Sequence, residues 1–240
     1  VAKQVLRRWS NYFECTYGSQ LPEDYLCFDC ETTGLVRATD LPLEIGHTIV
    51  RGGVAINQGS MVLDWTSDSR VDQNWLRQRL HETRRSMLAR GAAYRFTPEV
   101  LRAEGRPPNE VLGFYHKLFT TNRKAGAFFV GQNAIFFDVF LLEDCFRQFL
   151  GNRFEFGENE VFDTGTMEKA CIIGELPRPN ETLRQYFLRI KYIRAGGVLW
   201  NLTACAGRYG LPQKHQLDMR LTHTAKFDSY VCHLLFEQHR

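Results

Sequence analysis

Three things are scarce in this 240-residue sequence, and each scarcity excludes a class of protein. Its seven cysteines (Cys15, Cys27, Cys30, Cys145, Cys171, Cys205, Cys232) are odd in number and follow no framework spacing, which excludes a disulfide-stapled scaffold. Long apolar runs are missing, and none approaches the ~20 residues that a membrane-spanning helix needs. Net charge is small: 30 Lys and Arg against 27 Asp and Glu leave +3. Overall charge therefore makes no case for a polyanionic partner, and only its distribution can. There is no internal repeat, no low-complexity linker and no signal-peptide pattern, and the chain begins at Val1 rather than Met. Free thiols within apolar runs, without a secretory signal, point to a reducing, intracellular, cytoplasmic setting.

One cysteine pair, Cys27 and Cys30, has C-x-x-C spacing. A zinc site would need a second ligand pair, and no other spacing matches. The pair also falls in a strand-like run, where side chains three apart point to opposite faces.

What is present is material for a core. A hydrophobic fraction of 44% and an aromatic fraction of 13% suffice for one sizeable α/β domain. Residues 1–20 read as an N-terminal helical extension, with Val5, Leu6, Trp9 and Phe13 at helical spacing. From residue 21 to 240 a single domain is expected. Strands are predicted at Tyr25–Asp29, Glu44–Arg51, Val54–Trp65, Ala127–Val130 and Glu160–Asp163, the second and third joined by a tight turn at Gly52 and Gly53. Helices are predicted at Asn109–Thr121, Asp138–Leu150, Asn201–Tyr209 and Thr224–His239. Early strands followed by helix–strand alternation indicate an α/β fold with a central mixed five-stranded sheet flanked by helices.

Two stretches stand out as basic helical insertions. Residues 70–95 carry seven Arg against one Asp and one Glu. Leu76, Leu80 and Met87 make one helical stripe there, and Arg77, His81, Arg84 and Arg85 another. Residues 165–198 contain Arg184, Arg189, Lys191 and Arg194, with Tyr186, Phe187 and Tyr192 interleaved. These two clusters are the candidates for holding a polyanion, and the aromatics could stack on bases, although core packing is the better reading for them.

The placement of certain acids is more informative. Asp29 and Glu31 are i and i+2 on a strand, so both carboxylates point to one side. Like charges this close repel unless a cation lies between them. Asp138 opens a helix whose inward face is Leu141, Leu142, Cys145 and Phe149, which puts its carboxylate on the apolar stripe. Asn133, just past a predicted strand, suggests a polar crevice at the strand's carboxyl end, where α/β proteins place their sites. Asp228 shares a helix face with Val231, Cys232 and Leu235, where a buried acid needs a metal or a basic partner. His223 lies five residues before it. Four carboxylates and a His suit two oxygen-ligated divalent ions about 3.5–4 Å apart in phosphodiester hydrolysis. Mg²⁺ or Mn²⁺ fits all-carboxylate ligation, and a near-neutral His fits deprotonation of water. Glu44, His47, His81, His116 and Asp163 read as structural.

At these residues the sequence resembles the DEDDh exonucleases, which include proofreading subunits of bacterial replicative polymerases, RNase T and oligoribonuclease-like enzymes. Three ordered motifs carry the resemblance: Phe28-Asp29-Cys30-Glu31-Thr32-Thr33-Gly34-Leu35, Gln132-Asn133-Ala134-Ile135-Phe136-Phe137-Asp138, and His223-Thr224-Ala225-Lys226-Phe227-Asp228. It spans roughly residues 22–239 and implies an RNase H-like fold and a 3′→5′ exonuclease acting on single-stranded 3′ ends of DNA or RNA. It further implies Asp29, Glu31, Asp138 and Asp228 as ligands of two divalent cations, and His223 as general base. Thr32, Thr33 and Asn133 are then expected near the terminal nucleotide, with Arg77, Arg84, Arg184 and Arg189 on the strand. Three departures stand out: Gln132 where many members have His, an Asn-to-Asp spacing longer by one than in RNase T-like members, and no short His-Gly motif after the third strand. Two other functions fit the same residues: a nuclease-fold module that binds without cutting, and a hydrolase for very short oligonucleotides or a nucleotide end-cap.

Overall fold

The computed structural model describes residues 9, 13, 14, 20–36, 38–194, 196 and 198–240. Strand β1 (Tyr25–Thr32) is central and three residues longer than the sequence pattern predicts, so it carries both Asp29 and Glu31. It pairs antiparallel with β2 (Pro42–Arg51), which pairs antiparallel with β3 (Val54–Val62). On its other side β1 runs parallel to β4 (Phe128–Gly131), and β4 parallel to β5 (Val161–Asp163). The order β3-β2-β1-β4-β5 gives the expected mixed five-stranded sheet. Gly52 and Gly53 both take positive φ, +55° and +75°, as a two-residue hairpin turn requires.

Alternation along β1 sorts its side chains between two helical layers. Tyr25 packs beneath the last helix, α9 (Ala225–His239), its ring 4.7 Å from that of Phe236. Phe28 points the other way, into rings from α3 (Pro108–Lys124) and the loop after α4 (Asp138–Leu150): Phe119 and Phe156 each lie 5.5 Å from it. Helix α4 begins at Asp138 and ends at Leu150, where Gly151 takes a left-handed conformation.

The basic stretch near 70–95 forms α1 (Gln73–Ala89), capped by Asp72, whose carboxylate accepts from the Asn74 and Trp75 amides. A short helix that the sequence reading lacks, α2 (Pro98–Glu104), follows. Beyond β5 come α5 (Thr164–Ile173) and α6 (Leu183–Tyr192), then α7 (Leu202–Arg208) and α8 (Leu211–Lys214). In α6, Tyr186 and Phe187 are fully buried, packed against Trp9 at 6.0 and 5.9 Å, so they are core rather than base-stacking rings. Of the expected N-terminal helix, Trp9 and Phe13 are buried, and the Phe13 amide donates to the Trp9 carbonyl. Val5 and Leu6 lie outside the described residues.

Gly46 on β2 fixes where α9 begins. A Cβ there would come within 2.1 Å of the Ala225 carbonyl carbon, so the bare backbone lets the helix start press directly onto the sheet. That contact delivers the His223–Asp228 segment to the strand ends.

Candidate active site

The carboxyl end of β1, the start of α4 and the start of α9 meet in one place. The Asp138 carboxylate reaches back to β1 and accepts the Cys30 amide at 3.1 Å. The Asp228 carboxylate folds back on its own helix entrance, Oδ2 accepting the His223 amide at 3.2 Å. Ligand atoms of Glu31, His223 and Asp228 lie within 4.8 Å of one another. His223 holds φ = +67°, a left-handed backbone unusual outside glycine.

Charge in this cluster is unbalanced. Burial, then the fields of Asp228, Asp138, Glu31 and Glu44, push Asp29 well above the carboxylate range. Glu31 is pushed up to about 8, first by burial and then by Asp228, Glu44 and Asp138. Asp138 and Asp228 rise to about 7, in each case chiefly through burial. Asp228 Oδ1 is buried and has no hydrogen-bond partner. An orphaned carboxylate oxygen among mutually repelling acids is a donor set that a cation would satisfy. All-oxygen donors beside one imidazole suit a hard divalent ion, so these residues fit such a group. Burial lowers the His223 pKa, which keeps the imidazole neutral and able to accept a proton.

A fifth acid, read from sequence as structural, belongs to this electrostatic cluster. Glu44 lies directly opposite Glu31 in the β1–β2 register, 3% exposed. Its Oε2 accepts the Ala225 amide at 3.3 Å and faces the Arg95 guanidinium at 3.2 Å. Arg95 thus brings a positive charge to the edge of the cluster. An antiparallel partner strand places some residue opposite Glu31, but its register cannot be read from one sequence. Asp163 does act structurally, accepting the amides of Thr166 at 2.9 Å and Ile135 at 3.3 Å.

The Thr32-Thr33-Gly34 turn is held from outside the sheet. Thr33 is fully buried: its amide donates to Leu41, its hydroxyl to Asp40, and its carbonyl accepts the Thr83 hydroxyl. All of Thr33's polar atoms are therefore engaged within the fold. Arg79 grips Asp40 with two parallel bonds, both 2.8 Å, and crowds Gly34. Thr32 is partly exposed, and Asn133, at φ = +57°, is exposed at the end of β4.

The four arginines expected on substrate are not drawn into this cluster by any contact among the described residues. Arg77 bonds within its own helix turn, to the Gln73 carbonyl and Asn74. Arg84 is exposed on the side of α1 facing Phe96–Glu99. Arg189 spends its guanidinium on Glu181, Glu175 and the Leu176 carbonyl. Arg184 lies over the Phe140 ring and beside Glu158. The residues of α1 that do reach the strand-end turn are Arg79 and Thr83, which periodicity could not single out because their partners are 39 and 50 residues away. Cys27, buried, and Cys30, partly exposed, both lie on β1 and form no disulfide among the described residues.

No family model matches the chain, and no curated protein matches it. Solved structures do. Escherichia coli exonuclease I in complex with a dT13 oligonucleotide superposes with a TM-score of 0.56 at 17% identity, over 90% of this chain and 40% of that one. A product-bound exonuclease I gives 0.54 at 16%, over 91% and 43%. A zinc-bound E. coli complex with single-stranded DNA gives 0.55 at 17%, over 89% and 40%. This chain thus spans less than half the length of those it matches. At such identity the likeness concerns the fold: a mixed five-stranded open sheet with flanking helices, the RNase H-like arrangement of exonuclease I.

Proposed function

We propose that this chain is a metal-dependent 3′→5′ exonuclease of the DEDDh type, acting on single-stranded DNA or RNA and releasing mononucleotides. One observation carries the reading: four carboxylates on three separate elements converge with a neutral imidazole, leaving one buried carboxylate oxygen without a partner. Asp29, Glu31, Asp138 and Asp228 hold two divalent cations, Mg²⁺ or Mn²⁺. Those ions, when bound, neutralise the acids and polarise the scissile phosphate. His223 takes the proton of the attacking water, its ring oriented by the strained backbone that Asp228 clasps. Asn133 and Thr32 offer polar groups beside the terminal nucleotide. The likeness to exonuclease I, crystallised with single-stranded oligonucleotides, supports the same class of substrate.

The test is a ladder assay with 5′-labelled single-stranded DNA and RNA in Mg²⁺ or Mn²⁺. Stepwise shortening from the 3′ end, lost in EDTA and in Asp29→Asn, is expected, and the faster substrate identifies the preferred sugar. Binding without cleavage would instead establish a non-cutting module. A rate confined to two- or three-nucleotide substrates would establish a short-oligonucleotide hydrolase.

A further inference from the structure

Most partly buried arginines of this chain are matched. Arg79, Arg95, Arg123, Arg189, Arg208 and Arg240 each lie against a carboxylate. Arg51 bonds instead to the Val50 carbonyl and Asn122, and two lysines, one buried and one exposed, also lack a carboxylate partner. Lys169, on α5, is 9% exposed, and its ammonium donates to the Lys191 carbonyl at 2.7 Å. Lys191, exposed at the end of α6, holds its own ammonium 3.6 Å from the centre of the Phe136 ring. Among the described residues, which include every Asp and Glu of the chain, none lies within ion-pair distance of either lysine. The carboxylate whose field does reach Lys191 is Asp163, already engaged with backbone amides. Desolvating the Lys169 ammonium without a counter-charge is costly, and an anion from outside the chain would offset that cost.

The surroundings say which kind. Trp200 is partly exposed, its ring 5.8 Å from the Lys169 ammonium and 5.7 Å from the Arg208 guanidinium. Its carbonyl accepts the Gln132 amide at 2.7 Å, which ties it to the end of β4. Gln132 precedes Asn133, and Phe136 lies two residues before Asp138. Aromatic faces and unmatched cations therefore adjoin the element that supplies an active-site acid. Cations alternating with aromatic faces fit a single strand, whose phosphates supply the charge and whose bases stack.

We propose that Lys169, Lys191, Phe136 and Trp200 form a subsite for the strand upstream of the bond to be cut, gripping a backbone phosphate and a base. This deepens the exonuclease reading and rests on it. The test is fluorescence anisotropy of a labelled oligothymidylate of about ten nucleotides in Ca²⁺ in place of Mg²⁺ or Mn²⁺, across a salt series, with thymidine 5′-monophosphate as a one-nucleotide competitor. Lys169→Met and Lys191→Gln are each expected to weaken oligonucleotide binding several-fold and to flatten the salt slope by about 0.7. Trp200→Leu is expected to weaken it by about tenfold through lost stacking. Monophosphate affinity should not change, because one nucleotide does not reach the subsite. Lys169→Met should also keep or raise the melting temperature, since it removes an unmatched charge. Unchanged affinity and slope in the lysine variants would overturn the subsite. So would a binding loss that follows a fall in melting temperature, or an equal loss for the monophosphate. Wild-type protein that binds in this way but never cuts in Mn²⁺ would sink the exonuclease reading alone; protein that neither binds nor cuts would sink both.

Discussion

Two of the places where this molecule buries carboxylates treat them in opposite ways. Glu168, on α5, is fully buried, and its carboxylate accepts from Arg208 at 2.6 Å and Tyr209 at 2.7 Å, with His239 3.3 Å away. Although burial alone would raise its pKa, the His239, Tyr209 and Arg208 contacts hold it below the usual range. At the strand ends, half-buried Asp29 and Glu31 crowd against buried Asp138 and Asp228, and all four are pushed up. A carboxylate supplied with donors holds a fold together. A set without enough donors has that deficit to fill from outside, and this is the physical signature of a site.

Removing an acid should therefore have opposite consequences in the two places. The largest effect expected is on catalysis: Asp29→Asn should lower the cleavage rate by about 10³-fold or more. In metal-free buffer the same change should raise the melting temperature, because it removes repulsion. Rates and calorimetry on one preparation check both. Glu168→Ala should do the reverse, destabilising by about 2–3 kcal/mol, discounted because Arg208 is partly exposed, while the rate per folded molecule stays near wild type. Denaturant titration reads this, and an unchanged midpoint would dissolve the contrast.

A smaller effect falls on proton transfer. His223→Ala should cost about 10²-fold in rate while leaving Mn²⁺ affinity within a few-fold of wild type. A matching collapse of metal affinity would make the imidazole a ligand rather than a base.

The smallest effect is a pH dependence of stability, with its sign fixed by the upward shifts. Unfolded, these acids titrate near 4; folded, Glu31 titrates at about 8, and Asp138 and Asp228 at about 7. The native state thus holds protons that the unfolded state has lost. Metal-free stability should fall as pH rises from about 4 through about 8, then level off. Mn²⁺ should offset that loss by a few degrees at pH 8 and hardly at all at pH 5.

Much of this was legible in the sequence, for reasons that differ by element. Helix α4 runs from Asp138 to Leu150 as its apolar stripe dictates, and β1 places Asp29 and Glu31 on one side because strand period is two. Such features are local. What was not legible depends on pairings between distant segments: Glu44 opposite Glu31, Arg95 against Glu44, Arg79 gripping Asp40 across 39 residues. The same limit applies to the arginines. A run of Arg announces a basic surface, but intrachain acids had already claimed Arg189, and α6 turned Tyr186 and Phe187 into the core. Lys169 is not legible either, because nothing in the letters around it shows that it is buried without a carboxylate.

The central claim, that the strand-end acids are a cation site, is tested most directly by calorimetric Mn²⁺ titration at pH 7 in two buffers of different ionisation enthalpy. Binding is predicted to release protons from carboxylates that sit near or above pH 7 when empty, on the order of one per protein, and fewer at pH 9. Absence of saturable binding, or binding at pH 7 without proton release, would contradict the account.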